Sequence, residues 1–289
     1  MRTIALLSFK EILYKRIFLI TFLMTLAFLT FYGVANHFAA DNIAQEMSNG
    51  GNTSMEKMQL SFMSSQFLNV GLYFSSFITA LLAILATVGS ISLEIENHQI
   101  DTLLARPLRR SSVVLGKFLG LGVLMLAYAT FLFAGILLVN HVFGGLVAAE
   151  VSLVNALRGG MYFAMQPLVI IAAALWLSSR MSTINGGVVL IILYVTSFIG
   201  GFLEQIGAIT ENTALINIGI LSSLLFPTDS LFRKMTGTLM VQDDSPLAFV
   251  AQGPFSNLSE PSNLMIAYAV LYALLALFFA ARKFAKRDV

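Results

Sequence analysis

The densest run of ionisable side chains is EIENHQIDTLLARPLRRSSVVLGK, residues 94–117. Glu94, Glu96 and Asp101 come first, then Arg106, Arg109, Arg110 and Lys117, with Ile100, Leu103 and Leu104 forming a short apolar face between them. Pro107 ends any helix there, because its ring fixes φ and removes a donor. These residue types at these spacings predict a short helix with one hydrophobic side. The same turn also suits lipid headgroups, with its basic end toward the phosphates. Glu94 and Glu96 read either as anchors to basic residues or as ordinary solvation of a helix end.

Other chemistry is largely excluded. There is no Cys, so thiolate nucleophiles, thiolate metal sites and disulfides are absent. The three His residues, His37, His98 and His141, sit at or beyond the ends of apolar runs, and no acid–base or nucleophile constellation surrounds them. Met47, Met55, Met58 and Met63 carry thioethers that suit Cu(I). Thirteen Met in so apolar a chain make such groupings expected, and a packed helical face accounts for them equally well. No metal and no cofactor is therefore expected on this chain. No GxxxxGK[ST] sequence is present, so the chain is not expected to hydrolyse ATP or to be an enzyme.

The elements that position these residues follow from composition. Of 289 residues, 57% are hydrophobic and 11% charged, and the mean hydropathy is +0.84, which requires lipid. A helix needs about 20 apolar residues to cross a bilayer. Six such runs occur, at about 17–35, 68–93, 118–140, 161–177, 186–203 and 264–281, and none contains Asp, Glu, Lys or Arg. The expected fold is all-α, a polytopic membrane protein of six transmembrane helices forming one domain over 1–289. With both termini cytoplasmic, 13 of the 17 basic residues fall inside and only Lys57, Arg158, Arg233 and Lys234 outside, as the positive-inside rule requires.

Three further segments complete the plan. Residues 2–16 place Ala5, Phe9, Ile12 and Leu13 on one face, predicting an amphipathic helix on the inner membrane surface or an extension of the first span. Residues 36–67 and 204–263 read as long outer loops, punctuated by Gly50, Gly51 and Asn52 in the first and by Pro246, Pro254 and Pro261 in the second. Within the latter, 206–231 is apolar but interrupted by Glu211, Asn212, Asn217, Pro227 and Asp229, which predicts a re-entrant or interface-lying segment. Gly116 and Gly120, and Gly200 and Gly201, predict close helix contacts. Trp176, Tyr162 and Tyr194 read as aromatic-belt residues with no binding role.

The run 94–117 resembles the cytoplasmic signature of ABC-2 type permeases: an acidic pair ending the second span, a helix, a Pro, basic residues, then Leu-Gly-Lys entering the third. Glu94, Glu96, Leu103, Leu104, Pro107, Arg109, Arg110, Leu115, Gly116 and Lys117 carry that likeness, and Asn97, His98, Gln99 and Ile100 depart from it. FPTDSLFRKMTG at 226–237, with Pro227, Thr228, Asp229 and Arg233, resembles the outer-loop motif of the copper-processing, NosY-like branch. The resemblance implies a type V exporter-like fold in a bacterial cytoplasmic (inner) membrane. It also implies a coupling helix seated on a cytoplasmic ABC ATPase that itself binds ATP and Mg, with two permease chains, identical or paralogous, and two ATPases in the working unit. An accessory protein on the outer face is a further partner the long loops would accommodate; nucleic acid is not expected.

Energy must come from such a partner, because ion-coupled carriers use ionisable or unwound sites within their spans and the six runs hold no charge. The rival reading is a non-transporting membrane scaffold that anchors a larger complex. An intramembrane hydrolase would need clustered His, Asp or Glu, and that pattern is missing. The apolar spans suit hydrophobic cargo better than a free ion.

Overall fold

Long uncharged runs of Leu, Ile, Val, Phe and Ala leave the backbone no water to bond, so they take the structure that satisfies every N–H and C=O internally. The computed structural model describes residues 2–50, 54–97, 110–239 and 260–285. Among these, all regular structure is helical: α1 (Arg2–Leu13), α2 (Arg16–Gly50), α3 (Ser54–Thr87), α4 (Gly89–Glu96), α5 (Arg110–Phe143), a 3-10 turn (Gly145–Val147), α6 (Leu153–Ser178), α7 (Thr183–Ile209), α8 (Thr213–Leu225), α9 (Thr228–Leu239) and α10 (Asn263–Ala285). Among the described residues, six helical segments are long and apolar enough to cross a membrane: Arg16–Gln45, Met63–Glu96, Ser111–Phe143, Leu153–Ser178, Thr183–Ile209 and Asn263–Ala285.

The fourth of these, α6, is the axis of the bundle. In its most apolar stretch 67% of the residues are buried, against 17% in α2 and 22% in α10 at the periphery. Val169 to Leu175 of α6 are buried without interruption and pack with Leu82, Ala83, Val114, Leu121 and Ala280 of neighbouring helices. Near one end a second cluster joins Tyr32, Leu68, Leu72, Phe133 and Phe163. Asn36 donates to the Tyr32 carbonyl at 2.8 Å, and Asn140 Oδ1 accepts from the Ala149 amide at 3.0 Å, so side-chain amides satisfy backbone groups at that end.

α1 packs along α5. Ile4, Ser8 and Ile12 are its buried residues, while Leu13, placed by periodicity on the same face as Ala5 and Phe9, is 40% exposed. A Cβ at Gly120 would overlap the Ala5 carbonyl oxygen, so the glycine is what lets the two backbones meet.

The segments read as long loops differ most from expectation. Residues 36–67 hold the last turns of α2 and the first of α3; with no Pro before residue 107, nothing ends those helices at the edge of their apolar runs. Residues 204–263 contain the end of α7, all of α8 and all of α9. α8 runs back beside α7, with Ile216, Gly219 and Ser222 against Gly207, Glu204 and Gly200. α9 turns away by 108° and brings Leu239 onto Gly159, near the start of α6. Both ends of the α8–α9 hairpin therefore lie at one end of the bundle, with its bend inside.

Candidate functional site

Among the described residues, two assemblies with buried charge interrupt this apolar bundle. The first closes the end where α3 gives way to α4. The N–H groups of a helix's first turn lack intrahelical partners, and at α4 Ser178 Oγ of α6 accepts from Ile91 and Ser92 at 3.3 and 2.9 Å. Ser92 Oγ lies 2.7 Å from Thr183 Oγ1. Glu96 accepts from the Thr183 amide at 2.9 Å and from its hydroxyl at 3.3 Å, so a carboxylate from α4 caps α7, where the helix dipole favours a negative charge. Lys117 of α5 is 3% exposed; it donates to Glu94 at 2.5 Å and also to the Ser90 carbonyl. One short helix is thereby tied to α5, α6 and α7.

The second assembly lies at the bend of the hairpin. Glu211, in the left-handed region at φ 52, reverses the chain, and Asn212 caps α8 through the amides of Ala214 and Leu215. Pro227 has no N–H, so α8 stops at Leu225 and α9 starts at Thr228. The groups freed at this break converge on Ser197 of α7. Its hydroxyl donates to the Phe226 carbonyl at 2.5 Å and accepts from the Asp229 amide at 3.2 Å. Ser197 is 14 residues into α7, about 21 Å from Thr183 at 1.5 Å per residue.

One turn further along α9, Arg233 is 2% exposed. It donates from Nε to Asp229 at 2.9 Å and from Nη2 to Glu204 at 2.7 Å, with Ser223 Oγ at 3.4 Å. Two carboxylates share one guanidinium. The Asp229 carboxylate lies against Gly201, where a Cβ would overlap it, and Glu204 packs on Gly219 in the same way. Asp229 also borders a cavity of about 410 Å3 whose walls include Tyr73, Phe77, Tyr194, Phe198 and Phe232. Ser76 and Gln166, hydrogen-bonded to each other at 2.8 Å, supply its other polar edge.

The family model described as ABC-2 family transporter protein matches residues 2–289. The chain belongs to the ABC-2 transporter family. No curated protein matches it. As an ABC-2 permease it is a multi-pass membrane protein, in keeping with its six apolar helices.

In this ABC-2 permease Pro227 and Thr228 stand at the break between α8 and α9, and Asp229 and Arg233 form an ion-paired cluster that adds Glu204, expected from the sequence at the start of a loop. Glu94 and Glu96 hold α4 to its neighbours. Ile100, Leu103, Leu104, Arg106 and Arg109 lie outside the described residues, as does the side chain of Arg110. So do the side chains of Met47, Met55 and Met58; Met63 is half-buried in α3. Among the described residues no group of His, Asp and Glu could hold a metal ion.

Two expectations need correction. The apolar runs hold no charge, but the helices built on them do: α7 continues past its run and buries Glu204, 6% exposed. Tyr194, read as a belt residue, lines the cavity, whereas Trp176 does stack an exposed cation, Arg180, at 4.9 Å. Gly200, Glu204 and Gly207 stand at helical spacing on one face of α7, and that small-residue face holding a lone acid was the available signal for Glu204.

Proposed function

We propose that this chain is the permease subunit of an exporter in a bacterial cytoplasmic membrane, driven by a separate ABC ATPase that binds ATP and Mg. Two permease chains and two ATPases form the unit, with both permease termini in the cytoplasm and an outer-face accessory protein as a further partner. The type V exporter-like arrangement and the NosY-like branch belong to the same reading, the latter supported by Pro227, Thr228, Asp229 and Arg233. The permease itself performs no hydrolysis.

The observation that carries this reading is the α4 assembly. An ATPase can move a permease only through contacts that persist while its own subunits open and close. The segment between Asn97 and Arg110 joins α4 to α5, and α4 is bonded to α5 through Glu94–Lys117 and to α7 through Glu96–Thr183. Force applied to Ile100, Leu103, Leu104 and the basic residues Arg106, Arg109 and Arg110 is then shared by three spans. Glu94 and Glu96 stiffen the lever, and the apolar residues Ile100, Leu103 and Leu104 meet the partner.

The test is co-expression with an ABC ATPase encoded beside this chain, scored by co-purification and ATPase turnover. Leu103→Asp is expected to abolish association. Glu96→Ala is expected to keep association and lower stimulated turnover, because the lever is loosened and the contact is not. A wild-type chain that neither retains nor stimulates the ATPase would sink the exporter reading in favour of a scaffold.

A further inference from the structure

We propose that the joint between α3 and α4 has two states: broken and latched to Ser178 of α6, as in this structure, or released and continuous as one helix. The two states follow from the local geometry; their use in transport rests on the coupling reading above.

α3 ends at Thr87 and α4 begins at Gly89, yet Val88 between them keeps helical angles, φ -53 and ψ -43. Its amide still bonds the Ile84 carbonyl at 2.9 Å. The ladder is interrupted by a side chain from another helix, which is one of the causes of a kink. Ser178 Oγ, 1% exposed, accepts from the Ile91 and Ser92 amides at 3.3 and 2.9 Å. In a continuous helix those amides bond the Thr87 and Val88 carbonyls. Here the Val88 carbonyl receives the Ser92 hydroxyl at 3.2 Å, and Ser178 donates to Ser92 Oγ at 3.2 Å.

The latched state leaves polar groups without partners. The hydroxyls of Thr87 and Ser90, residues 0% and 7% exposed, have no hydrogen-bond partner among the described residues. A Ser or Thr inside a helix can bond the carbonyl four residues back, as Thr25 does to Thr21 at 2.8 Å and Ser75 to Gly71 at 2.7 Å. Burying a hydroxyl unbonded is unfavourable. The bonds made by Ser178 are thus set against two orphaned groups, and the two arrangements stand close in free energy.

Gly89 supplies the freedom to change between them. A Cβ there would meet Leu93 Cβ and Thr183 Cγ2 at 3.5 Å, an ordinary contact. Packing therefore does not demand a glycine; what glycine brings to this place is a helix that breaks easily. Latched, α4 is bonded to α5, α6 and α7 and parted from the ladder of α3. Released, it shares that ladder, so force on the segment after Asn97 reaches the second span. The joint selects which span follows the coupling segment.

The test is fluorine NMR of the full chain in phosphatidylcholine nanodiscs without any ATPase. A trifluoromethyl label is carried by Asn97→Cys at the exposed end of α4, and the chain has no other Cys. Ser178→Ala removes the latch and should raise the ratio of released to latched population about tenfold, for two lost hydrogen bonds. Gly89→Ala keeps the latch and should raise it about fivefold through helix propensity. Both variants are expected to move intensity to one shared resonance, or to displace one averaged resonance in the same direction. A joint that is merely loosened would give unlike positions in the two variants; that result, or no change in either, overturns the proposal. If Ser178→Ala does not yield folded protein, Gly89→Ala decides alone: a displaced signal supports the joint and an unchanged one overturns it. Because no ATPase takes part, an unmoved label removes the joint and leaves the coupling reading standing, and a failed ATPase association leaves the two states standing.

Discussion

Arg233 is held by two buried acids from different helices, and its removal would take the guanidinium from both. Arg233→Met is therefore expected to destabilise the chain by about 3–5 kcal/mol, the range for breaking a buried ion pair from one side. Adding Glu204→Gln and Asp229→Asn to that variant should restore much of the loss, since neutral partners no longer need the guanidinium. Unfolding in detergent, followed by helical circular dichroism, compares the two; equal stability of the single and triple variants would contradict the role given to charge. Gly201 tests the geometry of the same place. Its absent side chain is the space the Asp229 carboxylate occupies, so Gly201→Ala must displace that group and should cost about 1–3 kcal/mol. Gly122→Ala, which meets only Leu168 Cδ2 at 3.3 Å, is expected to be nearly neutral in the same assay.

At the scale of helices, α4 is too short to hold its place by propensity and does so by bonding to others. Glu96→Ala removes the acceptor for the first-turn groups of α7, and a lost cap is worth about 1 kcal/mol. Amide hydrogen exchange should quicken in residues 183–186 and stay unchanged in the buried centre of α6. The α8–α9 hairpin follows a similar logic: Pro227 breaks the helix and Ser197 collects the groups left over. Ser197→Ala should loosen the bend and speed exchange at the Asp229 amide, leaving α7 intact. A rigid hairpin in that variant would mean that packing alone, through the glycine face of α7, sets the angle.

For the whole molecule the decisive question is which ends face which side. The natural chain has no Cys, so single cysteines report without background. With both termini cytoplasmic and the hairpin re-entrant, Glu211→Cys and Glu260→Cys should both react with an impermeant maleimide added outside cells. Arg180→Cys should react only after permeabilisation. A hairpin that crosses the membrane would separate Glu211 from Glu260, and inverted labelling of all three would overturn the orientation taken from basic residues.

Most of the architecture was legible because lipid simplifies the problem. An apolar run of about 20 residues has one structure that satisfies its backbone, and the six runs correspond to six candidate spans in the structure. Helix ends were less legible: Gly50, Gly51 and Asn52 look like a loop's centre, yet α2 reaches Gly50 and α3 begins at Ser54 because no proline stops either helix earlier. The polar site was legible only in part. Asp229 and Arg233 are one helical turn apart and stand out in an apolar segment, but Glu204 precedes Arg233 by 29 residues, and Glu94 precedes Lys117 by 23. Hydropathy ranks such residues as loop or surface, since it measures each against water. Sequence alone therefore determined a helical membrane domain with its charge at the ends of its runs; the bend at Pro227 and the glycine face of α7 decided which charges meet, because pairing across helices depends on where the chain returns.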